Sequence, residues 1–402
     1  MVLKGNKLKE LQNYEKQLLN YIGFALFENN IQSYDCPVND VYQESIAQSI
    51  DFLIYNSVDV SFWKECREKI KEQLVRDSMR NSNVFSDHVL VNNLMTQNKI
   101  PYVILKGCAS AYYYPRPYDR TMGDVDFLVP KDQFQKAKKV LLNQGYVSRN
   151  ENHACHEVFR KQHSTSLELH FEPAGIPKNK KGDAIRRLFS DVFDTAVVFQ
   201  TDMGNMFIPD TFHHGLIILI HTAHHFTNEG VGLRHLCDWA AFVNRNDDFQ
   251  LLFEDKLKDV GLWRFAQIIT ALSTKYLGLK KQSWVDNIDD NLLDALILDI
   301  FKGGNFGKKT HDRDKEAMLM SVKREKQYGA LENFIHSVNS NAYLKWPVMK
   351  KCKPLLVYGW GYFGFRYLKR RVTGKRPAIS IKKMKSEAME RESIYSQFNL
   401  FQ

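Results

Sequence analysis

Apolar residues recur at helical spacing from the start of the chain to about residue 97. Leu8, Leu11, Leu18, Leu19 and Ile22 share one face, and residues 61–75 are amphipathic in the same way. The pattern changes at Asn98-Lys99-Ile100-Pro101, after which residues 102–105 form a short buried-strand signal ended by Lys106-Gly107. Residues 108–114 favour a short helix, and Pro115-Arg116-Pro117 forces a loop. A second strand is expected over 124–129. Asp132 then reads as an N-cap with Gln135 in capping-box position, opening a helix with Phe134, Ala137, Val140 and Leu141 on one face and Gly145 as its stop. Two more strands are expected at 156–161 and 166–171, separated by a His163-Ser164-Thr165 turn. The order is strand, helix, strand, helix, strand, strand.

After Pro177 the basic stretch Lys178-Asn179-Lys180-Lys181-Gly182 reads as a linker, and the pattern returns to helix as far as about residue 340. Asp210 caps a segment running through Thr227, and further helices are expected over 233–243, 292–301 and 321–338. The expected organisation is a helical region 1–97, a strand-bearing core 98–177, a helical domain 178–344 and a tail 345–402. No internal repeat or low-complexity tract interrupts it.

At 402 residues with 44% hydrophobic content, the chain has ample material for more than one core. The six cysteines are scattered without CxxC pairs, and residues 1–10 are charged, without a signal-peptide h-region. No stretch approaches the ~20 apolar residues that span a bilayer. A soluble cytoplasmic protein is the expectation. The net charge of +10 is local: residues 345–385 hold thirteen Lys/Arg and no Asp/Glu. The remaining 43 basic residues face 46 acids, a balance of −3. This tail also carries Tyr358, Trp360, Tyr362, Phe363, Phe365 and Tyr367. Basic and aromatic residues together suit an anionic membrane surface, such as the inner face of the cell membrane, or a single-stranded nucleic acid. Packing of the aromatics on the main body is the competing reading, and the glycines of 355–365 argue against a long helix there.

The chemistry gathers around Gly123-Asp124-Val125-Asp126. On a strand, residues two apart point to the same face, so Asp124 and Asp126 present two carboxylates side by side. Paired hard oxygens suit Mg²⁺ or Mn²⁺ carrying a substrate phosphate. In the strand 166–171, Leu167, Leu169 and Phe171 alternate with Glu168, His170 and Glu172, so Glu168 becomes a third carboxylate if the two strands are neighbours. Three acids can hold two metal ions for in-line phosphoryl chemistry, and Glu168 can accept a hydroxyl proton. Lys106-Gly107 sits where a strand turns into a helix, a place for phosphate, with Ser110 one turn on as a hydroxyl donor. Arg120 reads equally as a phosphate ligand or a partner of Asp119.

Lys106-Gly107, Arg120, Gly123-Asp124-Val125-Asp126 with Leu128-Val129, and Glu168-Leu169-His170 together resemble the polymerase-β-type nucleotidyltransferase superfamily. More narrowly, they resemble an uncharacterised bacterial nucleotidyltransferase family within it. The resemblance implies an α+β fold, a small mixed β-sheet core with helices on one side in a largely helical protein. It further implies NTP (ATP for preference) and Mg²⁺ as co-substrates, with transfer of a nucleotidyl group to an acceptor hydroxyl. Asp124, Asp126 and Glu168 become the metal-binding acids, and Gly107 and Ser110 the phosphate-loop residues. Cys108 departs from the superfamily's usual Ser or Gly.

The similarity extends to His221-Thr222-Ala223-His224-His225 and to Leu233-Arg234-His235-Leu236-Cys237-Asp238. His221, His224 and His225 share a helix face, but without HExxH or a clear third ligand they read as packing or hydrogen-bonding groups near the cleft. Arg234 and Asp238, at i and i+4, read as an ion pair, with Arg234 facing the nucleotide as the alternative. His153, Cys155 and His156 read as a loop before an edge strand. Two other functional classes compete: a DxD glycosyltransferase using a nucleotide-sugar, and a non-catalytic nucleotide-binding module. The acceptor is expected to be a small molecule or saccharide rather than nucleic acid.

Overall fold

The computed structural model describes residues 10–59, 61–64, 67–149, 155–309, 339, 342–343, 345–346, 348–372 and 381–402. Leu8, His153 and the helix expected over 321–338 lie outside them. The described residues fall into two compact units, within Met1–Thr310 plus Ile394–Gln402 and within His311–Ser393.

The fold is α+β. Four helices, α1 (Asn13–Phe27), α2 (Val38–Ala47), α3 (Asp51–Ser57) and α4 (Arg67–Gln97), precede the first strand, as the periodicity predicts. The sheet comprises β1 (Val103–Ile104), β2 (Val125–Leu128), β3 (Val147–Arg149), β4 (His156–Arg160) and β5 (Leu167–His170), in spatial order β1-β2-β5-β4-β3. Strands β2 and β5 run parallel and the other pairs antiparallel. Val125, Phe127, Leu167 and Leu169 point to one face. There they meet Val84, Phe85, Val91 and Met95 of α4, and Phe134, Ala137 and Leu141 of α6 (Phe134–Asn143), in one buried cluster. Truncating a residue as buried as Phe127 costs about 3–5 kcal/mol, so this face fixes the strand register. Because side chains alternate along a strand, the other face carries Asp126, Glu168 and His170.

Several expectations need correction. Asp132 caps no helix: it lies in a 3₁₀ turn, Lys131–Gln133, and accepts a hydrogen bond from Gln133 Nε2 at 3.3 Å. Strand β3, short and exposed, forms the sheet edge, so β4 is an inner strand. The supposed linker 178–182 is a helix start, with Asn179 accepting from Gly182 N and opening α7 (Lys180–Leu188). The stretch after it is not wholly helical. Strands β6 (Val197–Thr201) and β7 (Gly204–Ile208) form a hairpin whose Phe199, Met206 and Ile208 join the sheet's core. Its signal was Val197-Val198 before a turn ending in Gly204, whose φ of +140° suits glycine.

Helix α8 (Thr211–Thr227), capped by Asp210 as expected, is buried on nearly every side. Gly215 permits this, because a Cβ there would meet Phe242 and Phe253 ring atoms at 2.6 Å. Helices α9 (Leu233–Asn244), α10 (Phe249–Val260), α11 (Trp263–Leu277) and α12 (Asp290–Gly303) complete this bundle. Phe398 packs against Phe226 and Phe265, tying the last residues into the same unit.

In the second unit, Leu356–Val372 is a 17-residue helix, despite its glycines. Gly359 gives the reason for one of them: a Cβ there would lie 3.0 Å from that of Ala342. Trp346 packs edge-on against Tyr358 and Tyr362, whereas Val357 and Phe365 are exposed. No helix among the described residues is long and apolar enough to cross a membrane.

Candidate active site

The parallel pairing of β2 and β5 sets Asp126 directly opposite Glu168. Asp124 lies one step before β2, exposed at the cleft mouth. The cleft, about 470 Å³, lies between this acid face and α8 and α9, and is within the ~300–1,000 Å³ range of small-molecule sites. Its lining includes Lys106, Gly107, Ser110, Arg120, Gly123, Asp124, Asp126, Glu168, His170, His221, Arg234 and Asp238, so the geometry brings these residues to one cleft.

Asp126 is almost fully buried. Lys106 Nζ lies 2.9 Å from its Oδ1, and His170 Nε2 donates to the same oxygen at 3.2 Å. Burial would raise this carboxyl's pKa, but the Lys106 charge and the His170 hydrogen bond outweigh it and hold the group well below the carboxylate range. Burial also opposes the charged form of His170. Hydrogen bonds to Asp126, Cys155 and Glu168 reverse that and lift its pKa to about 10. Asp124 and Glu168 move the other way: desolvation leads in both, and the Asp126 charge adds to it. Glu168 is therefore more basic than Asp126 and suited to accepting a proton.

Ligand atoms of Asp126, Glu168 and His170 all lie within 4.8 Å of one another. Such a group could hold a metal ion, and without one Lys106 and His170 pair with its carboxylates. His156, on inner strand β4, approaches Glu168 at 3.7 Å and belongs to this cluster, which its reading as a pre-strand loop residue missed.

Gly107 has φ +61°, and a Cβ there would lie 2.8 Å from His88 Nε2. Only glycine fits. The helix it opens, α5 (Cys108–Ala111), has four residues, too short for the expected helix-end anion site. Cys108 faces the core, its Sγ 3.8 Å from Met122 Sδ, while Ser110 lines the cleft.

Arg120 does not pair with Asp119. Its Nε and Nη2 each donate to Asp238 at 2.7 Å, and Tyr114 Oη donates to the same carboxylate at 2.8 Å. Asp119 is taken by Arg116 at 2.6 Å. The expected Arg234–Asp238 pair is thereby displaced, since a bidentate guanidinium from the core satisfies Asp238 better than a helix neighbour. Arg234 instead donates to Thr121 O at 3.4 Å and lies over the Phe306 ring at 5.5 Å. Among the described residues no carboxylate forms an ion pair with it, and burial lowers its pKa to about 10. Arg80, Phe306 and Lys308 also line the cleft; lone residues on polar faces, they gave no motif signal.

Comparison with curated proteins gives no match. A family model described as an uncharacterised nucleotidyltransferase matches residues 39–278, spanning α2 to α11 and so the sheet, both cleft walls and the pairs that join them. The chain belongs to that nucleotidyltransferase family.

Proposed function

We propose that the cleft transfers a nucleotidyl group from an NTP, ATP for preference, to the hydroxyl of a small-molecule or saccharide acceptor. The observation that carries this reading is the Asp126–Glu168 register, with Asp124 at the mouth and Lys106 against Asp126. Asp124, Asp126 and Glu168 would hold Mg²⁺ or Mn²⁺, which supplies charge neutralisation for the phosphates and acidifies the attacking hydroxyl.

The chain's own groups do the rest. Glu168 accepts the acceptor's proton. The acceptor oxygen bonds to the α-phosphorus as the bond to the bridging oxygen of the β-phosphate breaks, and pyrophosphate leaves. Arg234, without a carboxylate partner among the described residues, faces the departing phosphates, and Lys106 offsets the charge at Asp126. The Arg120–Asp238 tie joins the loop before β2 to α9 and so holds the cleft walls in register. The protein is proposed to work in the cytoplasm, its basic aromatic segment 345–385 meeting an anionic membrane surface or nucleic acid.

Incubation of the full chain with Mg²⁺ and α-labelled NTPs, in parallel with labelled UDP-sugars and a panel of saccharide acceptors, tests the reaction class. Label transferred from NTP with release of pyrophosphate is expected. Transfer from the UDP-sugar alone would identify a glycosyltransferase and sink the proposal.

A further inference from the structure

The helical wall of the cleft carries three imidazoles that the proposed transfer does not use. His221 and His225 stand one turn apart on α8, and His235 lies in the first turn of α9. One ring nitrogen from each lies within 4.8 Å of the others. The helix pattern offered no third ligand, because His235 comes from a different helix and reaches the pair only through tertiary packing.

The hydrogen bonds around these rings are informative. Glu229 Oε2 lies 3.1 Å from His225 Nδ1. A carboxylate accepts, so Nδ1 carries the proton and Nε2 of the neutral ring presents a lone pair. Lys106 Nζ lies 3.1 Å from His221 Nε2. An ammonium only donates, so that nitrogen presents a lone pair too. These two Nε2 atoms are 2.9 Å apart. Two lone pairs facing each other repel unless a shared proton or a metal ion satisfies both. A proton serves poorly, because burial, the largest cause in each, pushes all three rings below the usual histidine range, at His225 against the opposing Glu229 contact. Neutral imidazole is the form that ligates metals. His235 adds a buried Nδ1 with no hydrogen-bond partner among the described residues.

We propose that His221, His225 and His235 form a site for a zinc-like transition-metal dication, with Glu229 orienting His225. Imidazole suits zinc and its neighbours, whereas the carboxylates opposite suit Mg²⁺, so the two walls sort two classes of metal. Three histidines lining a cleft leave a coordination position for a ligand from the cleft, as in three-ligand catalytic sites. The Glu229–His225 contact is the carboxylate–histidine arrangement that orients metal-binding imidazoles. The ion takes the place of Lys106 on His221, leaving that ammonium to Asp126.

The test titrates the chelator-treated full chain with Zn²⁺ alone, and separately with Co²⁺ while visible d–d absorption is followed. One saturating equivalent per chain and tetrahedral Co²⁺ bands are expected. His225→Ala and His235→Ala each abolish both, with circular dichroism checking the fold, and Glu229→Gln weakens Zn²⁺ binding by about 10-fold. Asp124→Asn with Asp126→Asn keeps full Zn²⁺ stoichiometry, so this site stands or falls apart from the acid wall. Absent or non-saturating binding by the unaltered protein overturns the proposal, whatever the variants do. Full stoichiometry in folded His235→Ala, or loss of Zn²⁺ in the acid variant alone, overturns it as well.

Discussion

Both walls of the cleft bury ionisable groups, yet burial acts on them in opposite ways. On the sheet wall, Asp126 and His170 are buried with partners, and each keeps its charge: the carboxyl is held low and the imidazole is lifted to about 10. On the helix wall, His221 is half-buried and His235 buried, neither with a carboxylate partner among the described residues, and the pKa of each is pushed down. Desolvation is common to both. What differs is whether an opposite charge lies within hydrogen-bond reach. One wall becomes a charged, oxygen-rich surface, the other a neutral nitrogen-rich one. Lys106 touches both, at 2.9 Å from Asp126 and 3.1 Å from His221.

The contrast breaks most sharply at the acid wall. Asp126→Asn should lower nucleotidyl transfer by roughly 10³-fold or more, measured as single-turnover label transfer at saturating Mg²⁺. Next comes the tie between the walls. Arg120→Met leaves Asp238 buried and uncompensated, and should cost about 3–5 kcal/mol in urea unfolding. Equal stability would mean that Tyr114 alone satisfies Asp238.

Arg234 predicts a split of function from stability. As a half-buried guanidinium without a carboxylate partner among the described residues, it is costly in the empty protein. Arg234→Met should raise the melting temperature while raising KM for NTP about 10-fold, the loss of roughly one charge-assisted contact. A lower melting temperature with unchanged KM would return Arg234 to a packing role.

The smallest effect is a pH window. In metal-free protein the raised pKa of His170 stabilises the fold fully below its ordinary value of 6.5, and this is lost as pH rises through about 10. The depressed Asp126 contributes above its ordinary 3.8 and loses that contribution as pH falls. Melting in chelator should therefore show the wild-type advantage over His170→Asn at full height between about pH 4 and 6.5, fading toward pH 10. A constant difference across that range would remove the charged pair from the account.

Much of this was legible in the chain because it depended on local alternation. The period-two pattern of Leu167-Glu168-Leu169-His170 was enough to place Glu168 on a polar face, and Asp210 announced α8. What stayed hidden depended on partners distant in sequence. Asp238 looked paired with Arg234 one turn away, but Arg120, 118 residues earlier, reaches it with two hydrogen bonds. His235 gained its place beside His221 only through the crossing of α8 and α9. The β6–β7 hairpin escaped because Val197 and Val198 are exposed, so its alternation is weak.

The most direct test of the acid wall is calorimetric titration of the full chain with a non-hydrolysable ATP analogue, with and without Mg²⁺. Saturable binding that requires Mg²⁺ and disappears in the folded Asp124→Asn, Asp126→Asn variant is predicted. Equal binding by that variant, or binding indifferent to Mg²⁺, would contradict a nucleotide site built on Asp124, Asp126 and Glu168.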